Sequence, residues 1–110
     1  DAPWRALLLD AARTLETYGH AKNTICKPDG SMCLVGALML GAPGKYRQQE
    51  AGALDIGHVR NKAQQAVARH LRLADAYGAL VIWNNAHERT QDEVTAALRA
   101  AAYSDFEVTA

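Results

Sequence analysis

The sequence is poor in cysteine and proline, with two and three respectively, has no net charge, and lacks any long apolar run. Two thiols cannot form the dense disulfide framework that holds together small secreted domains. Glycine and proline are too few and too irregular for a collagen-like chain, and no internal repeat is visible. Twelve basic residues against twelve acidic ones leave no global field to draw in nucleic acid or acidic lipid. The longest apolar run, Leu34–Leu40, contains Gly36, and falls far short of the roughly 20 residues a helix needs to cross a bilayer. No basic stretch leads into an apolar one at the start, so no export is expected. The expected location is cytoplasmic, with both thiols reduced. Gly-rich phosphate loops, paired-carboxylate motifs and nucleophile elbows are missing, and no cofactor is expected.

What is present suffices for one core. A chain of 110 residues, 49% hydrophobic and 22% charged, reads as a single globular domain over 1–110. Residues 102–110 read as a loosely held tail. Charge is uneven locally: residues 45–72 carry a net +4 and residues 75–110 a net −4. The two segments are expected to pack side by side.

The periodicity predicts a mainly helical protein. Asp1 and Pro3 suit a helix start, and Trp4, Leu7, Leu8, Ala11, Leu15 and Tyr18 recur on one face up to a stop at Gly19. Lys27-Pro28-Asp29-Gly30 is a turn. Its flanks, Asn23–Cys26 and Ser31–Cys33, suit short extended arms; the alternative, favoured here, is a turn leading straight into a buried helix from Met32 to about Leu40, capped by Ser31. If Pro28 to Ser31 form a four-residue loop, Cys26 faces Cys33 and a disulfide is geometrically allowed. Gly41 to Gly44 break the chain, and a weak helical pattern follows over 46–54. A strong amphipathic pattern runs from His58 to Leu73, with His70 on its apolar face and Lys62, Gln65, Arg69 and Arg72 opposite. Tyr77-Gly78 ends it. Ala79 to Trp83 read as a short buried strand, because Val, Ile and Trp favour extended backbone. Thr90 and Glu93 form a T-x-x-E capping box ahead of Val94, Ala97, Leu98 and Ala101. The fold class is predominantly α, four or five helices around one core, with at most a small β element near Ile25 or Val81.

Candidate chemistry centres on a few residues. Cys33 near a helix start becomes a nucleophile if an imidazole contacts it. His20 and His87 are the candidates, with Asn84 or Asn85 to orient the ring. The spacing of His20, Cys26 and Cys33 does not match structural zinc sites, and no metal is expected. The basic stripe on 60–72 suits a phosphate backbone. However, Glu88, Asp92 and Glu93 place negative charge where a recognition helix would enter a groove, so nucleic acid is not the expected partner.

Two blocks carry a family resemblance. Asp29-Gly30-x-x-Cys33-x-x-Gly36-Ala37-Leu38 is the first. The second is Trp83-Asn84-Asn85 with Arg89-Thr90-x-x-Glu93-Val94-x-x-x-Leu98. Together with the amphipathic helix ahead of them, they resemble a family of small actinobacterial and actinophage proteins known only as a domain of unknown function. The resemblance spans nearly the whole chain. It implies a cytosolic, phage-related protein without a known activity. The family pattern has Asp after Trp-Asn, where this chain has Asn85, and that departure weakens any carboxylate role there.

The expected function is therefore a non-enzymatic interaction protein, a phage accessory factor binding a host protein or itself as a homo-oligomer. Its candidate surface comprises Cys33, Trp83, Asn84, Asn85 and His87, in two loops expected to meet in space. The alternatives are a small cysteine-dependent enzyme using Cys33 and a weak nucleic-acid binder using the basic helix over 60–72.

Overall fold

Pro3 presets φ for the first turn of a helix and has no N–H to satisfy there. Gly19 closes the same helix at a φ of +100°, donating its amide to Leu15 O at 2.8 Å. Between them lies α1 (Pro3–Tyr18). The computed structural model describes residues 2–40, 56–74 and 76–106. Within them follow α2 (Leu34–Leu40), α3 (Ile56–His70), α4 (Tyr77–Asn85) and α5 (Gln91–Ala102). The protein is predominantly α, and no strand longer than an isolated bridge occurs among the described residues. The Asp1 cap, the break after Gly41 and the pattern over 46–54 lie outside the described residues.

The α1 stripe behaves as its period dictates. Trp4, Leu8 and Leu15 are at most 1% exposed, and they meet Leu34, Leu38, Val67, Leu80, Val94 and Leu98, each fully buried. α1 packs most extensively on α5, α3 packs on both, and α2 bridges α1 to α4. Because α3 lies against α5, the basic and acidic segments are neighbours. Thr90 accepts the Glu93 amide at 3.2 Å while the Glu93 carboxylate accepts the Thr90 amide at 2.9 Å, completing the capping box of α5.

The link from α1 to α2 holds the β character. Met32 pairs on one side with Gly19 and Ala21, its N–H donating to Gly19 O at 3.0 Å and its carbonyl accepting the Ala21 amide at 2.8 Å. On the other side Cys33 N–H donates to Ile25 O and Lys27 N–H to Ser31 O. The turn predicted at Lys27 closes through Gly30 N–H to Lys27 O at 2.9 Å, with Gly30 at φ +93°.

Several expectations are corrected. Residues 79–83 are helical, not extended: α4 begins at Tyr77, where a break was expected, and its last turn ends on Asn85. The β-rich composition is overridden by packing of Leu80 and Asn84 into the core. Cys26 opposes Met32, not Cys33, because the loop is one residue shorter than assumed. The two cysteines are therefore free, Cys26 exposed and Cys33 buried. Ser31 does not cap α2, since its amide and hydroxyl both donate to Asp29 Oδ1. His70 lies on the exposed side of the last turn of α3, not in the core. Of the segment from 102 onward, residues as far as Phe106 are anchored. Arg5 Nη1 donates to Ala102 O at 2.6 Å and Ser104 O at 2.7 Å, and the Phe106 ring meets Trp4 edge-on at 5.6 Å.

Candidate functional site

The two sequence blocks meet through one side chain. Asn84 is fully buried on the inner face of α4. Its Oδ1 accepts the Leu34 amide at 3.0 Å, at the first turn of α2. That bond fixes the amide orientation, so Nδ2 is the donor to Ala21 O at 3.1 Å and to Asn85 Oδ1 at 3.0 Å. The same Oδ1 lies 2.7 Å from His20 Nε2. Because a carbonyl oxygen only accepts, His20 carries its proton on Nε2. All four hydrogen bonds open to a carboxamide are made, and Asn84 presents nothing to a partner. It supports the surface from beneath.

Neighbouring residues extend the stitch. Asn85 Oδ1 also accepts the Asn23 amide at 2.8 Å. Asn23 sits at φ +62°, a conformation asparagine tolerates better than most residues. Lys22 Nζ donates to Ala86 O and His87 O, each at 2.8 Å, and so holds carbonyls left open where α4 ends. Residues 20–23 are thus bound to the end of α4.

Between residues 23–25 and α4 opens a cavity of about 460 Å³. One wall is Asn23, Thr24 and Ile25. The other is Tyr77, Gly78, Val81 and Asn85, all from α4, and Cys33 completes the lining. Among the described residues, none of the lining is charged. Cys33 is 4% exposed, its carbonyl receives the first helical bond of α2 from Ala37, and its Sγ accepts the Gly36 amide at 3.2 Å. Gly36 has a separate reason to be glycine: a Cβ there would overlap the Ile25 carbonyl.

Of the five residues expected to form a surface, Cys33 and Asn85 line the cavity and Asn84 lies under it. Trp83 and His87 are on a different flank. The Arg89 guanidinium stacks 3.9 Å over the Trp83 ring, and Arg89 Nε donates to Trp83 O at 3.0 Å. His87 is exposed and joins the network through its backbone carbonyl. The imidazole–amide pair considered for cysteine chemistry does form, between His20 and Asn84. Among the described residues, however, no imidazole is hydrogen-bonded to the Cys33 thiol. Nor is any group of three metal-ligating side chains found among them.

Lys22, Asn23, Thr24, Ile25, Tyr77, Gly78 and Val81 were not anticipated. They belong to no motif, and they join the site through backbone pairing with residues 31–33 and through the helical conformation of α4. The carboxyls with shifted titration lie outside the cavity. The Ser31 hydroxyl and amide hold the Asp29 carboxyl below the usual carboxylate range, and the Thr90 amide does the same for Glu93.

Searches of the curated proteins and of the solved structures give no match to this chain. One family model does match, over residues 1–104, and the chain belongs to that family, the family of unknown function DUF6197.

Proposed function

We propose that the protein is a non-enzymatic interaction module that grips an apolar side chain of a protein partner in the cavity between residues 23–25 and α4. One observation carries this reading: a cavity of about 460 Å³ whose described lining is uncharged, walled by Ile25, Tyr77 and Val81 and edged by Asn23 and Asn85. An apolar body with a few polar groups is the composition of sites that bury a ligand side chain and orient it. Ile25 and Tyr77 are 36% and 51% exposed, so the mouth is itself apolar. The biological setting that suits this reading is the cytoplasm of an actinobacterium or of its phage-infected cell, where the module acts as an accessory factor. The alanine-rich composition, with more arginine than lysine, supports that source.

Filling the cavity tests the reading. Val81→Trp is expected to melt near the wild-type temperature and to lose partners that the wild-type protein retains from a lysate of its natural host. Identical retention by the two proteins would contradict it.

A second reading is thiol chemistry at Cys33, favoured by the place of this residue in the cavity lining and by its Sγ accepting the Gly36 amide. It predicts that native Cys33 is alkylated faster than exposed Cys26 at neutral pH. A slower Cys33 would rule it out.

A further inference from the structure

Glycine has no Cβ, so its backbone can be approached more closely than that of any other residue. An aspartate directly before a glycine therefore brings a carboxyl carbon and an unshielded amide nitrogen within reach of one another. Asp29-Gly30 is the one place in the sequence where Asp or Asn precedes glycine. Asp29 is exposed, and Gly30 takes φ +93°, where an added Cβ would also crowd the Tyr18 ring at 3.2 Å. We propose that Asp29-Gly30 is an isoaspartate-forming modification site that the hydrogen bonds of its own turn hold closed.

In the reaction, the Gly30 nitrogen attacks Cγ of the protonated Asp29 side chain. A C–N bond forms, the C–OH bond breaks, and the hydroxyl leaves with the amide proton as water. Water then adds at the Asp29 main-chain carbonyl of the succinimide and breaks its bond to the Gly30 nitrogen. Composition is unchanged, but the main chain now runs through Cβ and Cγ and is one atom longer. The folded turn opposes both reacting groups. Gly30 N–H donates to Lys27 O at 2.9 Å, so the nucleophile is engaged. Asp29 Oδ1 accepts the Ser31 hydroxyl at 2.7 Å and the Ser31 amide at 2.9 Å, which fixes the carboxyl group. The same two bonds favour the ionised carboxylate, and that form has no hydroxyl to lose. The product bears on the fold because the arms on either side of this turn are paired, Lys27 N–H with Ser31 O at 2.8 Å and Cys33 N–H with Ile25 O at 3.2 Å. The extra atom falls between them.

Prolonged incubation of the full chain near neutral pH, folded in buffer and unfolded in urea, tests this. Isoaspartate is counted by enzymatic carboxyl methylation and located by fragmentation of the peptide that contains Asp29. The unfolded chain should form it at Asp29, and the folded protein should do so at least about tenfold more slowly. Ser31→Ala removes the hydroxyl donor and keeps the Cβ. The folded variant should form isoaspartate at Asp29 about threefold faster than the folded wild type, with a melting temperature close to it. An unfolded chain that forms none at Asp29, equal rates for the folded and unfolded wild type, or equal rates for the folded wild type and folded Ser31→Ala would each overturn the proposal. The comparison of folded with unfolded wild type needs no variant, so it decides the matter even where Ser31→Ala fails to fold.

Discussion

Asn84 is the residue on which the site most depends. Removing its carboxamide leaves the Leu34 amide, the Ala21 carbonyl and His20 Nε2 without the partner each has now, all beneath the surface of α4. Unsatisfied buried groups are costly, and three at once place Asn84→Ala among strongly destabilising substitutions, at about 3 kcal/mol. Urea denaturation with an unchanged slope would read that loss directly. A loss well below 1 kcal/mol would mean that the network does not hold residues 20–23 to α4. Asn84→Asp should fare little better, because a carboxylate cannot donate to Ala21 O. Asn85 differs. Its Oδ1 accepts from Asn23 and Asn84, and a carboxylate oxygen can accept the same two hydrogen bonds.

Among the elements, α5 and α3 end in ways that make separate predictions. Thr90→Ala removes the N-cap of α5 and should cost about 1 kcal/mol. Glu93 adds a pH dependence. Its folded carboxyl titrates below the unfolded one because the Thr90 amide donates to it. Its contribution is therefore complete above the unfolded value, and it is lost as pH falls through the depressed folded value. Glu93→Gln keeps an acceptor for the Thr90 amide but not the charge, so stability near pH 7 should fall slightly and the decline below about pH 4 should become shallower, the two proteins converging in acid. Melting temperatures across that range decide it; parallel curves for the two proteins would show that Glu93 is not linked. At the end of α3, Arg72 takes φ +60° while Leu73 N–H reaches back to Ala68 O at 2.8 Å, an arrangement that glycine usually fills. Arg72→Gly should stabilise the protein by about 0.5–1 kcal/mol, and destabilisation would show that the Arg72 side chain contributes more than its backbone strain costs.

The same elements show what the sequence could reveal. Pro3 with Gly19, and Thr90 with Glu93, mark helix ends through local chemistry, and local chemistry is readable. α4 was misread because Val81, Ile82 and Trp83 favour extended backbone, whereas the choice of helix is made by Asn84 and Leu80 reaching into a core assembled from distant segments. The Cys26–Met32 register turned on a single loop residue.

At the scale of the whole molecule, the core helices form a platform and the site is built where α2, α4 and segment 20–25 converge. Cys33 and Asn85 were legible as candidates because the chain gathers glycine, asparagine and histidine in two segments that read as loops, although Asn85 ends α4. The cavity they line was not legible. Its other walls come from Asn23, Thr24, Ile25, Tyr77, Gly78 and Val81, and no local spacing reports that these share a surface. The central claim, that this cavity is where the protein meets its partner, is open to site-specific photo-crosslinking in the natural host. A benzoylphenylalanine at Tyr77, on the cavity wall, should give a discrete adduct. The same residue at Gln65, exposed on the basic face of α3, should give none. Equal adducts from both positions, or none from Tyr77, would contradict it.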